Sequence, residues 1–393
     1  MTKLYRIIPL CYIIACLSIC HSCSTQHIAH QAEEWAMGGF ERPKGVNPII
    51  IPDSSTTFYD PMQKKTLHWE DNDTFNPAAA VYGDRIYVLY RAEDKTGIKI
   101  GHRTSRLGLA SSTDGMHFNR FKTPVFFPDV DSQRDNEWPG GTEDPRVAET
   151  AAGDFVMFYT QWNRKVPRIG VAMSRDLKHW TKHGPIFGKS SKLPQLVNTP
   201  HKSASILTKL VGDKQVITKV NGKYWLYWGE HGVYGATSDN LIDWEPVLDE
   251  NGQLKAFISP REGYFDSSLT ECGPPAIMTA KGILLLYNGK NHPEKGDKRF
   301  NKNTYAAGQV LFDKNDPGKV IDRMDVPFLR PMEAFEKSGQ YIDGTVFIEG
   351  LVYFKKKWFL YYGCADSKVA VAVFDPQKPS SFDPLPIKDR SLK

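Results

Sequence analysis

The chain has 393 residues, of which 40% are hydrophobic and 24% charged, and it contains 31 glycines and 26 prolines. This composition excludes a disordered, fibrous or polytopic membrane protein and predicts a globular protein with a sizeable core. Lysine and arginine total 50 against 45 acidic residues, which gives a net charge of +5. No basic cluster follows the amino-terminal segment, so a nucleic-acid partner is not expected.

The first 23 residues have the pattern of a secretory signal peptide. Lys3 and Arg6 precede an apolar stretch, residues 7–19, that is too short to span a bilayer. Cys23 is placed like the lipidated cysteine of a bacterial lipoprotein leader, and a plain cleaved signal is the alternative. We therefore expect an exported protein, periplasmic or membrane-anchored, whose only attachment to a membrane is a lipid on Cys23.

Cysteine usage and domain organisation follow from the position of this leader. Four of the six cysteines lie within it, which leaves Cys272 and Cys364 in the rest of the chain. A disulfide framework is therefore not expected, and we interpret both cysteines as small packing residues. Residues 24–42 are predicted to form an N-terminal extension or tether, and residues 43–393 the main domain.

Five short aromatic and aliphatic segments recur along the chain, and each is typical of a buried strand: residues 84–91, 154–160, 222–229, 281–289 and 357–363. Their matching tyrosines are about 68 residues apart on average: Tyr90, Tyr159, Tyr227, Tyr287 and Tyr361. Repeats of this length hold several strands each, so we predict an all-β fold, a five-bladed β-propeller with its active site at the central funnel. A β-sandwich or a tandem of small β-domains is the alternative, and neither explains five evenly spaced copies.

Polar residues that differ from unit to unit follow the repeat tyrosines: Arg91, Gln161, Glu230, Asn288 and Asp366. In a propeller these positions would surround the central funnel, where binding sites lie. Acids, bases and amides in one place suit a polyhydroxylated ligand. No HExxH, CxxC or clustered histidine set occurs in the sequence, so we expect no metal or other cofactor.

Six motifs occur in a fixed order along residues 75–375: Asn76-Pro77-Ala78, Tyr90-Arg91-Ala92, residues 105–110, Glu143-Asp144-Pro145-Arg146, Gly273-Pro274-Pro275 and residues 361–366. In this order they resemble the motifs of glycoside hydrolase family 130. The resemblance implies a five-bladed propeller that acts on β-mannosides with inversion, in a family of mostly phosphorylases and a minority of hydrolases. It also implies that Asp144 is the general acid and passes its proton to the glycosidic oxygen through the 3-hydroxyl of mannose. From the residues alone, an Asx turn at Asp144 is an equal alternative.

The chain departs from the phosphorylases of this family in the third unit. Where these carry a His-Arg-Pro segment that supplies cations for phosphate, residues 227–231 include Glu230, whose carboxylate would repel a phosphate dianion. Glu271 adds a second acid just before the Gly-Pro-Pro motif. We expect Glu230 and Glu271 to orient and deprotonate an attacking water. A structural ion pair of Glu230 with Arg146 or Arg168 is the alternative.

Further substrate-binding residues are predicted for the same funnel. The resemblance places the ligands of the −1 mannosyl hydroxyls at Asn76, Arg91, Ser105, Arg106 and Asp366. We also predict substrate contacts from Arg146, Arg168, Lys202, His231 and Tyr287. Arg168 and Lys202 would be phosphate ligands if the reaction were phosphorolysis. Arginine and aspartate suit vicinal diols because each offers paired donors or acceptors.

Three functions are therefore compatible with the sequence. We favour an exported, inverting β-mannosidase that hydrolyses β-1,2-linked mannosides, with a mannose-containing oligosaccharide as its substrate. The alternatives are a β-mannoside phosphorylase that releases mannose 1-phosphate and a non-catalytic glycan-binding lipoprotein. Product analysis with mannobioses of defined linkage, with and without phosphate, discriminates among the three.

Overall fold

The structure, a computed structural model, describes residues 34–378. Within this range, strands form almost all of the regular structure. Helix is limited to α1 (Arg134–Glu137) and two 3₁₀ turns, Pro194–Asn198 and Ala334–Glu336, and no described helix is long and apolar enough to cross a membrane. The all-β prediction is therefore confirmed. The predicted signal peptide, Cys23 and most of the predicted extension lie outside the described residues.

A hairpin of β1 (Phe58–Asp60) and β2 (Lys65–Leu67) precedes a series of antiparallel sheets. The first sheet pairs consecutive strands: β3 (Asp73–Tyr82), β4 (Arg85–Glu93), β5 (Ser105–Ser112) and β6 (Asn119–Arg120). The second is built in the same way: β7 (Gly141–Glu149), β8 (Phe155–Trp162), β9 (Pro167–Ser174) and β10 (Trp180–Pro185). Consecutive strands are neighbours in both sheets, so local hairpins build them.

The next three sheets keep this order with small variations. The third contains β11 (Ala204–Val211), β12 (Lys214–Ile217), β13 (Lys219–Val220), β14 (Lys223–Trp228), β15 (Tyr234–Ser238) and β16 (Glu245–Pro246). The fourth contains β17 (Leu269–Cys272), β18 (Ala276–Met278), β19 (Ile283–Lys290), β20 (Tyr305–Phe312) and β21 (Val320–Arg323). The fifth contains β22 (Val346–Phe354), β23 (Lys357–Cys364) and β24 (Lys368–Phe374).

Residues that precede the first sheet extend the fifth. Glu41 forms an antiparallel bridge with Val373, and Ile50 forms one with Val369, both on the outer side of β24. The indole of Trp35 donates a hydrogen bond to Asp322 at 2.8 Å. The described part of the predicted extension therefore packs on the last two sheets, and early and late parts of the chain meet in one sheet.

The five repeat tyrosines are buried in the second long strand of each sheet, β4, β8, β14, β19 and β23. Three of them donate their hydroxyl to a buried carboxylate that precedes their own sheet: Tyr90 to Glu70, Tyr159 to Glu137 and Tyr287 to Asp266, at 2.6–2.7 Å. A buried phenol needs such a partner. In three of the five sheets, the repeat tyrosine thus connects its strand to the segment that leads into the sheet.

Strands at the starts of neighbouring sheets lie beside one another. β3 contacts β7 and β22, and β11 contacts β7 and β18. Three first strands contain a register shift at a similar depth, at Asn76 in β3, between Glu143 and Arg146 in β7, and at Glu349 in β22. Such bulges bend a strand and redirect a side chain. They bring polar groups together where these first strands meet.

Candidate active site

Two of these bulges have the same local sequence cause. Asn76 and Asp144 have φ values of 46° and 49°, and each is followed by a proline, which cannot donate to the strand ladder. Positive φ costs a non-glycine residue about 1–3 kcal/mol, and Asn and Asp tolerate it best. The conformation turns both side chains toward each other, and Asn76 Nδ2 donates to Asp144 Oδ1 at 2.8 Å. A Cβ on Gly363 would lie 2.5 Å from Asn76 Oδ1, so a glycine is needed there.

Arg91 joins the carboxylates on this side of the centre. Its Nη1 donates to Asp144 Oδ1 at 3.0 Å, and its Nη2 lies 2.7 Å from Glu93 Oε1 and 2.9 Å from Glu143 Oε1. The guanidinium also lies over the Phe75 ring, 4.6 Å from its centroid. One buried cation is therefore shared by three acidic side chains.

This arrangement separates the pKa values of the two adjacent acids. Burial acts to raise the pKa of Asp144, but the charges of Arg91, Lys202 and Arg146 outweigh burial and lower it to about 2. Burial raises the pKa of Glu143 to about 7, because the attraction of Arg91 is offset by the repulsion of ionised Asp144. Near neutral pH, Asp144 is therefore ionised and Glu143 is partly protonated.

A second set of acids lies near the far side of the same cavity: Glu271 lines it, whereas Glu230 does not and is connected to it through Lys202. Glu271, at the end of β17, is buried and accepts a short hydrogen bond from Ser203. Lys202 Nζ lies 3.0 Å from Glu230 Oε1 and 3.6 Å from Glu271 Oε1. Burial raises the pKa of Glu271, and its neighbour Lys202 opposes that effect. The two carboxylates that are predicted to activate water therefore share the ammonium group of Lys202. The ion partner of Glu230 is thus Lys202, and not Arg146 or Arg168.

The cavity between these two sets has a volume of about 110 Å³. Its lining includes six of the predicted site residues: Asn76, Arg91, Asp144, Lys202, Glu271 and Asp366. A larger cavity, about 280 Å³, lies at the opposite ends of the first strands and is lined mainly by alanine, valine and tyrosine. Buried acidic and basic side chains converge on the smaller of these two cavities, whereas Asp213 and Lys214 of the larger one are exposed, so we identify the smaller cavity as the candidate active site.

Four predicted substrate ligands do not line this cavity. Arg106 is fully buried and pairs with two aspartates. Tyr287 donates to Asp266, as described above. Arg168 donates to the carbonyl of Val197 at 2.6 Å, and His231 is exposed outside the lining. The polar groups of Arg106, Tyr287 and Arg168 therefore have partners elsewhere in the fold, which sequence spacing could not reveal.

Two more predicted ligands lie behind the cavity wall. Ser105 Oγ accepts a hydrogen bond from Arg91 Nε at 3.0 Å, so it supports Arg91 and does not line the cavity. Arg146 is buried at the centre and bonds backbone carbonyls. Both contribute to the site through another residue.

The sequence did not identify the aromatic and apolar wall of the cavity, which consists of Phe75, Ile100, Tyr305, Tyr341 and Phe347. Tyr305 packs edge-on against Tyr341, with ring centroids 5.4 Å apart. Tyr305 and Phe347 stand at or near the starts of β20 and β22, outside the repeated segments. In a predicted propeller, strand ends that face the funnel are candidate site positions, and this rule could have identified Tyr305 and Phe347.

An open cavity with opposed carboxylates, paired cations and an aromatic wall is the type of site that carbohydrate-processing enzymes use. No group of residues in 34–378 could hold a metal ion. Residues 53–378 match the family model described as beta-1,4-mannooligosaccharide phosphorylase, of glycoside hydrolase family 130. The chain belongs to this family, and the resemblance noted from its motifs is confirmed.

Relatives of the chain include phosphorylases and hydrolases. The 1,2-beta-oligomannan phosphorylase of Thermoanaerobacter sp. (strain X514) is 30% identical over 80% of this chain and 94% of its own. The crystal structure of a glycosyl hydrolase from Bacteroides ovatus is 65% identical, with a TM-score of 0.90 over 92% of this chain and 100% of that one. A further solved structure is 60% identical, with a TM-score of 0.90 over 91% and 99% of the two chains. It is described as showing that the family of mannoside phosphorylases contains hydrolases that target β-1,2-mannosidic linkages in Candida mannan.

Proposed function

We propose that this protein is an exported, inverting β-mannosidase that hydrolyses β-1,2-linked mannosides, and that its five sheets are the blades of a propeller. The solved structure at 60% identity, described with hydrolases of β-1,2-mannosidic linkages, supports this assignment. The phosphorylase at 30% identity supports the alternative, a phosphorylase acting on the same linkage. The convergence of six predicted site residues on one cavity argues against a non-catalytic glycan-binding protein.

The choice of hydrolysis rests on one observation: the cations of the cavity lining, Lys202 and Arg91, are each paired with carboxylates. Lys202 lies beside two carboxylates, those of Glu230 and Glu271. Arg91, the other cation of the lining, lies beside three. A phosphate dianion is bound by cations that are free to grip it, and it is repelled by carboxylates at the same place. A neutral water suits this site better.

We assign the catalytic roles on this basis. Asn76, Arg91 and Asp366 bind hydroxyls of the mannosyl residue. Asp144 delivers a proton to the glycosidic oxygen through the 3-hydroxyl, and Glu230 and Glu271 deprotonate a water that attacks C1 from the opposite face. Because Asp144 is ionised in the free protein, it must take up its proton when the substrate binds.

We predict that mannose is released from β-1,2-mannobiose in buffer free of phosphate. Added phosphate should leave the rate within about twofold, because no cation of the lining is free to bind it. Chromatography of the products, with mannose and mannose 1-phosphate as standards, checks this result. Strict dependence on phosphate, with mannose 1-phosphate as the product, would show that the protein is a phosphorylase.

We also predict that mannose binds more weakly at pH 6 than at pH 8. Burial raises the pKa of Asp366 to about 7, so this carboxylate loses its charge as the pH falls through that value and accepts sugar hydroxyls less well. Its ionised fraction falls about tenfold over this range, and the affinity should fall by about fivefold. Isothermal titration calorimetry with mannose at both pH values measures this change in affinity. Asp366→Asn should bind mannose with no such pH dependence, whereas the control Glu143→Gln should retain it.

A further inference from the structure

Arg146 links two first strands across the centre of the molecule. Its side chain, 1% exposed, projects from β7, and its Nη1 donates to the backbone carbonyl of Asp144 at 2.9 Å. Its Nη2 donates to the carbonyl of Cys272 at 2.8 Å, and its Nε to that of Gly273 at 3.4 Å. One planar guanidinium therefore bonds both the peptide of Asp144 and the peptide that follows Glu271.

Glu349, in the bulge of β22, lies on the remaining side of this guanidinium. Its Oε1 is 2.9 Å from Arg146 Nη1, and the side chain is fully buried. Neither of its oxygens accepts a well-aligned hydrogen bond from the described residues, and burial raises its pKa well above the ordinary value. Glu349 therefore contacts the guanidinium of Arg146 from a third sheet and limits its movement.

We infer that Arg146, held in place by Glu349, is a positioning residue that sets the separation between Asp144 and Glu271. This inference rests on the proposed function and deepens it. Inverting hydrolysis needs two carboxyl groups about 6.5–9.5 Å apart, with room for water. A misplacement of about 1 Å can lower a rate by about 100-fold. Arg146 does not line the cavity, so it acts through the two peptides that it bonds.

The substitution Arg146→Lys tests this role, because lysine keeps the charge but cannot bond three carbonyls in one plane. We expect kcat on β-1,2-mannobiose to fall at least about tenfold, with KM within about threefold of the wild type. The matched control is Arg42→Lys. Arg42 also pairs with a buried glutamate, Glu336, at 2.7 Å and bonds a carbonyl, that of Arg330, but it lies at the edge of the last sheet. The control should lower the melting temperature and leave kcat unchanged.

An unchanged kcat in folded Arg146→Lys would overturn the inference, and so would a raised KM with normal kcat, which would make Arg146 a substrate ligand. If the lysine variant does not fold, Glu349→Gln decides. Its amide keeps the shape of the side chain but holds Arg146 less firmly, so a smaller fall in kcat at constant KM is expected, and no fall overturns the inference. If the wild type releases mannose 1-phosphate, only the proposed function is overturned. The positioning role of Arg146 is then tested by comparing the same variants in buffer that contains phosphate. A wild type inactive on mannobiose in both buffers would overturn both.

Discussion

Replacing Asp144 by asparagine is expected to lower kcat for β-1,2-mannobiose by at least about 100-fold. Asparagine tolerates the positive φ of this position, and its oxygen can still accept the hydrogen bonds from Asn76 and Arg91. The variant therefore keeps the shape of the site but has no acidic proton to deliver. Mannose should still bind within about threefold of the wild-type affinity, as measured by calorimetry, because the hydroxyl ligands are untouched.

The adjacent acid, Glu143, provides the matched control for this prediction. Its pKa of about 7 would also suit a general acid near neutrality, but it contacts Arg91 and Ser105 behind the cavity lining. Glu143→Gln should therefore keep kcat within about fivefold. If Glu143→Gln were the inactive variant and Asp144→Asn kept more than about a tenth of the activity, the proton donor would be Glu143 and the assignment from the resemblance would be wrong.

The strands could be predicted from the sequence because the pattern of buried apolar residues recurs at nearly even spacing along the chain. The second strand of each sheet is buried on both faces, so it needs a continuous apolar run, and the periodic tyrosine marks it. The sequence identified Asn76 and Asp144 through their motifs but did not predict the bulges there, which the structure shows beside the proline that follows each residue.

What the sequence could not predict was how polar groups are paired. Arg106 and Asn76 both occur in motifs, but Arg106 meets Asp60 and Asp94 in the outer part of its sheet. Those aspartates are 46 and 12 residues away in the chain, so no local spacing indicates the pair. Lys202 between Glu230 and Glu271 is a similar case. The two carboxylates beside one ammonium group also disfavour phosphate at this place.

The two acids beside Lys202 are expected to act as a unit. Glu271 is fixed by Ser203 and is buried, whereas Glu230 is about one third exposed. If one removes a proton from the water and the other fixes its second hydrogen, each of Glu230→Gln and Glu271→Gln should lower kcat by about 100-fold or more with little change in KM. The double variant should be little worse than the poorer single one, because residues that act together are strongly non-additive. Steady-state kinetics on mannobiose measures all three.

Azide gives this prediction a chemical readout. Truncation to Glu271→Ala or Glu230→Ala removes a negative charge beside Lys202 and leaves room for a small anion. Azide should then attack C1 while the glycosidic bond breaks and the leaving oxygen takes the proton from Asp144, so a β-linked substrate gives an α-configured mannosyl azide. The control is Glu245→Gln, because the Glu245 carboxylate accepts hydrogen bonds from residues 190–192, away from the cavity. This variant should keep wild-type kcat and form no azide product. Near-normal kcat with raised KM in both single glutamine variants would instead identify Glu230 and Glu271 as substrate ligands, and the water would need another base.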